Sequence, residues 1–319
     1  MFEVKRYSSD MAEEWNRFVA GSKQGTFLFD RNYMDYHHDR FSDFSLVVLY
    51  KGHICAVLPA NVNGDTLWSH QGLTYGGLIT DKKATADDVC TIFQTINNFL
   101  RSNSIRHVVY KAMPWIYHRL PAEEDLYALT NVCGASVMVR HISSTIVMDD
   151  RIRFIESRKS GIRKAKRLGL HVAESADLSD FWTILDNNLE NKYQAQPVHS
   201  LAELELLKSR FPDKIRLFMA SNSDGKPVGG TLIFETPQVV HTQYISASPE
   251  GKASGALDML FDYLINDYYS DKSRYPHVKY FDFGKSSDGD GHQLNSKLIF
   301  QKEGFGGRGV CYDWYSWDV

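Results

Sequence analysis

Two ionisable side chains in the second half of the sequence are suited to proton transfer. His199 lies in NKYQAQPVHSLAELELL, where Pro197 and Ser200 predict a loop that leads into a helix. An imidazole in such a loop can contact an acceptor or act as a base, because its ordinary pKa lies near neutrality. The commoner alternative is a loop histidine held by a hydrogen bond. Asp282 ends the apolar strand of YFDFG. Burial can raise the pKa of a carboxyl group and let it act as a base, whereas the alternative role is to cap the next turn.

A possible anion site precedes a strongly patterned helix. The stretch HTQYISASPEGKASGALDMLFDYLI, residues 241–265, reads as a strand, a loop of small residues with one lysine, and a helix. One apolar face is predicted by the spacing of Leu257, Leu260, Phe261, Leu264 and Ile265. Ser254 is the expected N-cap, and free backbone N–H groups at the positive end of the helix dipole can bind phosphate. The alternative is a plain connection in which Gly255 serves only the turn.

Two further groups of side chains have a structural and a functional interpretation. Eight basic residues and a single acid, Glu156, lie between Arg151 and Arg167. Such a run is usually a solvated helix face, and the functional alternative is a patch for phosphates of an acceptor, a donor or a tRNA acceptor stem. The run His37-His38-Asp39 has metal-ligand residue types, but adjacent histidines on one element point apart. We therefore predict no metal site.

Composition limits the class of protein. The chain has 319 residues, 43% of them hydrophobic and 24% charged, with a net charge of −3. This balance is ordinary for a globular protein and leaves room only for local contact with nucleic acid. The four cysteines form no CxxC pair, which favours reduced and mostly buried thiols. No secretory signal and no apolar run of about 20 residues is visible, so we expect a soluble cytoplasmic protein without a membrane span.

The same order of elements is predicted twice. In the first half, strands near 44–50, 54–58 and 67 precede a Gly-rich loop, a helix over 89–100, a strand over 107–110, a helix over 123–132 and a strand over 136–148. In the second half, strands over 215–220, 228–234 and 239–246 precede the loop and helix described above, a strand over 278–283, a helix over 294–302 and a strand over 310–317. The order predicts two α/β domains with mixed sheets, residues 1–150 and 151–319.

A strand, a small-residue loop and a helix in this order resemble the GNAT acyltransferases. The duplication narrows the resemblance to their Fem-type branch of tandem GNAT-like domains, as do WNRFVAGSKQGTFLFDRNYMDY, RKSGIRKAKRLGLHV, YFDFGKSS and LIFQKEGFGG. The resemblance implies an acyl donor, most simply acetyl-coenzyme A, bound in the second domain. The implied donor-binding residues are Gln243, Tyr244, Ile245 and Ser246 for the acyl-bearing arm, and Lys252, Ala253, Ser254, Gly255 and Ala256 for the diphosphate.

The resemblance also assigns roles to individual side chains. Lys302 of QKEGFG matches a closing-motif lysine that stabilises negative charge in the transition state, although a helix C-terminus also favours a solvated lysine. The helix NSKLIFQKEG lacks the tyrosine that GNAT enzymes often use to protonate the leaving thiolate, and His292 is a possible substitute. His37 lies near a position where some Fem-type members carry a phosphate-binding lysine. Lys252 and Leu257 differ from the usual residues of the diphosphate motif.

The sequence therefore predicts an N-acyltransferase that acts by direct attack of an amine, without a covalent enzyme intermediate. The acceptor, a small molecule or a peptide, is expected in a cleft between the domains near His199, Asp282 and Lys302. One alternative is an aminoacyl-tRNA-dependent transferase that acts on a cell-wall precursor. The basic segment favours this alternative. His37 disfavours it, as does the absence of the long helical arm that Fem-type enzymes with aminoacyl-tRNA donors often carry. A second alternative is a GNAT fold that only binds a ligand, which the departures from the loop motif favour.

Overall fold

The chain forms two compact units that are not consecutive halves. The computed structural model describes residues 1–193, 197–288 and 291–319, with the side chains of 191–193 excluded. Unit 1 contains Met1–Ile142, Ser287–Gln293 and Cys311–Val319, and unit 2 contains Ser143–Ser286 and Leu294–Val310. The division thus falls after Ile142 rather than after residue 150, and the last strand returns to unit 1. Such a return depends on long-range strand pairing, which the order of elements does not reveal.

Unit 1 contains the predicted strands and helices of the first half. Its elements are β1 (Phe2–Arg6), α1 (Ala12–Gly21), α2 (Arg31–Met34), β2 (Ser42–Asp43), β3 (Leu46–Tyr50), β4 (His53–Leu58), β5 (Asn61–Asn63), β6 (Thr66–Trp68), β7 (Ile79–Thr80), α3 (Ala86–Ser102), β8 (His107–Lys111), α4 (Glu124–Asn131) and the first part of β9 (Ser136–Val147). The turn at Asn63-Gly64-Asp65 joins β5 to β6 as a hairpin, with Gly64 at φ +62°.

The three early strands of unit 1 are divided between two sheets. One sheet has the order β1-β3-β4-β7, while β6 pairs in parallel with β8 and antiparallel with β5. Helix α3 begins with a capping box at Thr85 and Asp88 and buries Val89, Ile92 and Phe93 in the core. The predicted helix over 89–100 is therefore confirmed and extends to Ser102.

Unit 2 contains the long sheet of the second half. The remaining elements of the chain are α5 (Glu156–Arg167), β10 (His171–Ser175), α6 (Ser179–Tyr193), α7 (Leu201–Arg210), β11 (Ile215–Ser221), β12 (Pro227–Glu235), β13 (Val239–Ala247), α8 (Pro249–Ser254), α9 (Ala256–Asp262), β14 (Tyr280–Lys285), β15 (Ser287–Asp288), β16 (Gln293–Leu294), α10 (Ser296–Glu303) and β17 (Arg308–Asp318). In unit 2 the strand order is β10-β11-β12-β13-β14-β9, and β13 and β14 are the parallel pair. The part of β17 from Cys311 onward belongs to unit 1.

The helix predicted after Gly255 forms the centre of the unit 2 core. Leu260, Phe261, Leu264 and Ile265 are all buried, and they pack with the aromatic residues of β14. Residues Tyr263–Tyr268 continue α9 as a π-helical segment, a local widening that often accompanies functional sites. The predicted apolar face is thus confirmed, although the helix is not uniformly α-helical.

Two sequence-based expectations concern the environment of the chain. Cys55, Cys90 and Cys133 are half-buried and Cys311 is exposed, so the expectation of mostly buried thiols is wrong, and all four are free cysteines. Over the residues that the structure describes, no helix combines the length and the hydropathy needed to cross a membrane.

Candidate functional site

The parallel strands β13 and β14 separate part of the way along their length. They pair only at Val239–His241 and Tyr280–Asp282, whereas β13 stays paired with β12 as far as Ala247. A β-bulge follows, because Leu232 pairs with Tyr244 and Ile233 pairs with Thr242, which leaves Gln243 as the extra residue. Beyond His241 the edge of β13 that faced β14 is no longer paired to that strand. Backbone N–H groups on such an edge can polarise a carbonyl group.

Three buried polar side-chain atoms lie where the two strands separate. Thr242 Oγ1, Gln243 Oε1 and Ser286 Oγ have no hydrogen-bond partner among the described residues. Buried polar atoms are almost always paired, so a group of them beside an open strand edge indicates a place for a polar ligand. The residues predicted to hold an acyl donor, Gln243 to Ser246, occupy this edge.

Asp282 is fully buried and is held by three donors. Its Oδ1 atom accepts hydrogen bonds from Ser143 Oγ at 2.5 Å and Thr145 Oγ1 at 2.7 Å, and its Oδ2 atom lies 2.7 Å from His241 Nδ1. Burial alone would raise the pKa of Asp282, but the hydrogen bonds and the charge of His241 lower it to about 2. The expectation of a raised pKa is therefore wrong. Asp282 therefore remains ionised at neutral pH.

His241 is a candidate site residue that sequence reasoning missed. It pairs in register with Asp282, and it is the last residue of β13 before the strands separate. Because Asp282 is ionised and acts only as an acceptor, Nδ1 of His241 carries the proton and donates it to Oδ2. Nε2 is then the nitrogen that can accept a proton, as in a carboxylate–imidazole pair. A histidine within the apolar strand VVHTQYIS, beside a strand that contains an aspartate, was the available signal.

Lys302 lies near Asp282 in the same unit. Its Nζ atom donates hydrogen bonds to the carbonyl oxygens of Gly284 and Lys285, each at 2.8 Å. Burial lowers the pKa of Lys302 to about 8, and the nearby charge of Asp282 opposes this shift. Burial also lowers the pKa of Lys285 to about 8. Lys302 is thus not a solvated lysine. It holds the end of β14 where that strand leaves β13.

His199 and Tyr244 form a second pair beside the same strand. Nδ1 of His199 lies 2.8 Å from the hydroxyl of Tyr244, and both rings are largely shielded from solvent. Burial raises the pKa of Tyr244 to about 12, so its phenol stays protonated at neutral pH. Lys302 contacts the end of β14, the strand that carries Asp282. His199 contacts Tyr244, which lies three residues beyond His241 on β13.

The predicted diphosphate segment is mainly helical. Lys252, Ala253 and Ser254 lie in α8, which Ser248 caps through a hydrogen bond from Gly251 N to Ser248 Oγ. The expectation that Ser254 caps the following helix is wrong, because Gly255 stands before α9 in the left-handed conformation. Ser254 Oγ instead donates to the carbonyl oxygen of Gly251. Lys252 Nζ donates to Asn188 Oδ1 of α6 at 2.5 Å.

Gly255 also has a packing role. A Cβ atom at this position would lie 2.5 Å from the carbonyl oxygen of Gly161 in α5. Close backbone approach therefore requires glycine here, independently of the left-handed φ of +80°. Helix α5 consequently packs directly against the start of α9.

The basic segment serves partly to attach α5 to α9. Arg158 forms an ion pair with Asp258 at 2.6 Å, and Lys166 lies 3.5 Å from Asp262. Lys159, Lys164 and several other basic residues of the segment are exposed, as expected for a solvated helix face. The segment thus combines a packing face with a cationic surface.

His37 and His292 lie in unit 1. His37 is buried and stacks on His70 at 5.2 Å between ring centroids, whereas His38 is exposed. A buried ring in this stack is unlike a flexible lysine that reaches a phosphate. His292 is exposed. No group of three or more His, Cys, Asp and Glu side chains within the described ranges is arranged to hold a metal ion.

Comparison with known proteins identifies the fold. Residues 153–292 match the family model described as acetyltransferase (GNAT) domain. The crystal structure of FemX superposes with a TM-score of 0.68 at 11% identity and covers 99% of this chain and 97% of its own. The chain therefore contains a GNAT domain over these residues and shares the fold of FemX over its whole length.

Other solved structures share this tandem GNAT fold. L-PGS from Bacillus licheniformis has a TM-score of 0.59 at 12% identity, with 98% of this chain and 92% of its own covered. A tandem GNAT protein from the clavulanic acid biosynthesis pathway, solved without AcCoA, has a TM-score of 0.51 at 10% identity, with coverage of 100% and 98%. None of the curated proteins matches the sequence. These superpositions establish the fold, while the donor and the acceptor are inferred below from the site.

Proposed function

We propose that this tandem GNAT protein is an N-acyltransferase that moves an acyl group, most simply acetyl, from acyl-coenzyme A to an amine. The observation that carries the proposal is the separation of β13 from β14 after His241, with the bulge at Gln243. An acyl donor on this edge receives backbone N–H groups at its carbonyl oxygen. The amine attacks directly, and the tetrahedral intermediate collapses as the carbon–sulfur bond breaks.

The donor extends from the strand edge towards α8. The acyl-bearing arm lies along Gln243, Tyr244, Ile245 and Ser246, and the diphosphate lies at Lys252 to Ala256. When the donor binds, Lys252 Nζ gives up its hydrogen bond to Asn188 and donates one to a phosphate oxygen. Because Lys252 is exposed, this exchange requires only a change of side-chain rotamer.

His241 accepts the proton that the attacking amine loses. The ionised Asp282 fixes its tautomer and stabilises the imidazolium that forms, and this gives Asp282 a positioning role in place of the base role expected from the sequence. Lys302 positions the β14 end of the site through the Gly284 and Lys285 carbonyl oxygens. Its positive charge also stabilises the negative charge of the intermediate.

Tyr244 gives its proton to the leaving thiolate and recovers one from His199. The phenol is protonated at neutral pH and gives its proton to the sulfur as the carbon–sulfur bond breaks. The raised pKa of Tyr244 makes the tyrosinate a strong base, so it takes a proton back through the 2.8 Å contact with His199. Tyr244 and His199 thus protonate the leaving thiolate in place of a tyrosine on the helix NSKLIFQKEG, which has none.

A calorimetric titration with acetyl-coenzyme A tests the donor assignment. The wild type is expected to bind with a micromolar Kd, and Lys252→Glu to bind at least about ten-fold more weakly because a carboxylate replaces the phosphate-facing ammonium. Lys279→Glu is the matched control, since Lys279 is an exposed lysine of unit 2 that precedes β14 and lies outside the strand edge and α8. Equal weakening by both variants would remove the diphosphate from Lys252.

Transfer from an aminoacyl-tRNA is the second candidate. It is favoured by the close contact of Gly255 with Gly161, which limits the space for a diphosphate before α9. Turnover of charged tRNA without any binding of acetyl-coenzyme A at millimolar concentration would establish this donor in place of acyl-coenzyme A.

A further inference from the structure

A basic cleft lies in unit 2 near the last turn of α9. Its volume is about 360 Å³, and it is lined by the chain that enters α5, by α5 itself and by the end of α9 with its π-helical continuation. None of these lining residues belongs to the strand edge described above. The cleft therefore needs an explanation separate from acyl transfer.

One cationic side chain of the cleft is held in place by hydrogen bonds, and two others are unpaired within the described part of the chain. Arg151 Nη1 donates to the carbonyl oxygen of Ile265 at 2.7 Å and to Asn266 Oδ1 at 2.9 Å, which fixes the guanidinium at the rim. Arg153 and Lys159 also line the cleft, and their side chains form no hydrogen bond or ion pair with any residue that the structure describes. Unpaired cations beside a fixed arginine are suited to phosphate oxygens, because they need not leave an existing partner.

The acidic side chain of the cleft is already neutralised. Asp262 lies 3.5 Å from Lys166 Nζ and accepts a hydrogen bond from Asn266 Nδ2 at 2.9 Å. Three cations therefore face one paired carboxylate, in a chain whose net charge is −3. This local excess of positive charge attracts an anion.

Apolar side chains complete the lining. Ile152, between Arg151 and Arg153, is 46% exposed to solvent. Phe154 packs edge-on against Phe305 at 5.3 Å between ring centroids. The neighbouring Ile155 is 38% exposed. A cationic wall beside exposed aliphatic side chains suits a ligand that carries a phosphate and an apolar group.

We propose that this cleft binds the phosphate of a phosphorylated ligand through Arg151, Arg153 and Lys159, with an apolar portion of the ligand against Ile152. The shared chemistry is a phosphate next to a hydrocarbon or other apolar group. A phospholipid headgroup and a soluble phosphorylated compound both provide it, and the experiment below separates them.

The first arm of the test is a calorimetric titration with inorganic pyrophosphate. Arg153→Gln/Lys159→Gln is expected to raise the Kd at least about ten-fold, because two phosphate-facing cations are lost. Lys164→Gln/Arg167→Gln is the matched control, since it removes the same charge from exposed positions of α5 outside the cleft. All four positions are exposed, so the variants are expected to fold. Both double variants are expected to bind acetyl-coenzyme A with the same affinity as each other. This result would show that the cleft and the donor site are separate.

The second arm measures cosedimentation with phosphatidylglycerol–phosphatidylcholine vesicles. Binding that is lost in Arg153→Gln/Lys159→Gln and in Ile152→Ser identifies a lipid headgroup as the source of the phosphate. Pyrophosphate binding without vesicle binding identifies a soluble ligand. The proposal is overturned if the wild type binds neither probe, or if the cleft and control variants lose affinity equally.

Discussion

The imidazole of His241 donates its Nδ1 proton to the carboxylate of Asp282 across 2.7 Å, at the last position where β13 and β14 are paired. The end of the paired part of β13 is thus fixed by a buried hydrogen bond to a carboxylate that Ser143 and Thr145 also hold. The same residues stabilise the fold and orient the proposed base. Stability and activity are therefore expected to change together when this pair is altered.

Asp282→Asn is expected to remove a pH-dependent part of the stability. The pKa of Asp282 in the folded protein is about 2, below the ordinary 3.8, so its contribution is present above pH 4 and is lost as the pH falls towards 2. The shift corresponds to about 2 kcal/mol. Urea unfolding should show the wild type losing this amount relative to the variant between pH 5 and 2. Asp213→Asn, at an exposed site of unit 2, should follow the wild type at every pH.

His241→Asn is expected to lower kcat about 10²- to 10⁴-fold, because the amine loses its base. The Kd for acetyl-coenzyme A should change little. His171→Asn, at an exposed position on β10, provides the comparison and should keep wild-type rates. Steady-state rates with an amine acceptor measure the difference, and equal rates in all three proteins would exclude His241 as the base.

Tyr244→Phe is expected to slow release of the thiolate while the fold is kept, since only a hydroxyl is removed. The loss should be about 10²-fold in kcat for a coenzyme A thioester. It should be much smaller for a thioester of an acidic thiol, which needs no proton to leave. A loss that is the same for both donors would indicate that Tyr244 only positions His199.

Gly255→Ala is expected to destabilise the protein more than Gly225→Ala. Both glycines have φ near +80°, so both substitutions incur similar backbone strain of about 1 kcal/mol. A Cβ atom at Gly225 would meet nothing within 4 Å, whereas one at Gly255 would meet the Gly161 carbonyl oxygen. The difference between the two free energies of unfolding isolates this contact. Equal losses would mean that α5 does not press on Gly255 in solution.

Lys302→Met is expected to change how stability depends on alkaline pH. The pKa of Lys302 is about 8 in the folded protein, below its ordinary 10.5, so the unfolded chain holds the proton more tightly. The wild type should therefore gain stability relative to the variant as the pH rises from 8 to about 10. Chemical unfolding at several pH values measures this slope, and parallel curves would show that Lys302 is not desolvated.

The sequence predicted the elements better than their contacts. Periodicity was sufficient for the α9 face because Leu260 and Phe261 obey helical spacing over a long run. The partner of Asp282 could not be predicted in the same way, because His241 lies 41 residues away and only the parallel register joins them. Without that partner, burial alone suggested a raised pKa for a carboxyl group whose pKa is in fact lowered.

The role of the segment before α9 could not be decided from the sequence for a related reason. Small residues there read equally well as an open phosphate cradle and as a close helix contact, and the choice depends on Gly161 of α5. His199 and Lys302 lie beside β13 and β14, and their part in the site stays a prediction. Their partners, Tyr244 and the carbonyl oxygens of Gly284 and Lys285, became clear only from the fold.

Hydrogen exchange of the strand edge with and without acetyl-coenzyme A tests the central claim most directly. The account predicts slower exchange in peptides that cover 242–256, because the donor occupies the unpaired edge of β13 and the segment after it. Peptides from β1 and β3 of unit 1 should be unchanged. Unchanged exchange over 242–256 at millimolar donor, or protection confined to other segments, would contradict the assignment of this edge to an acyl-coenzyme A donor.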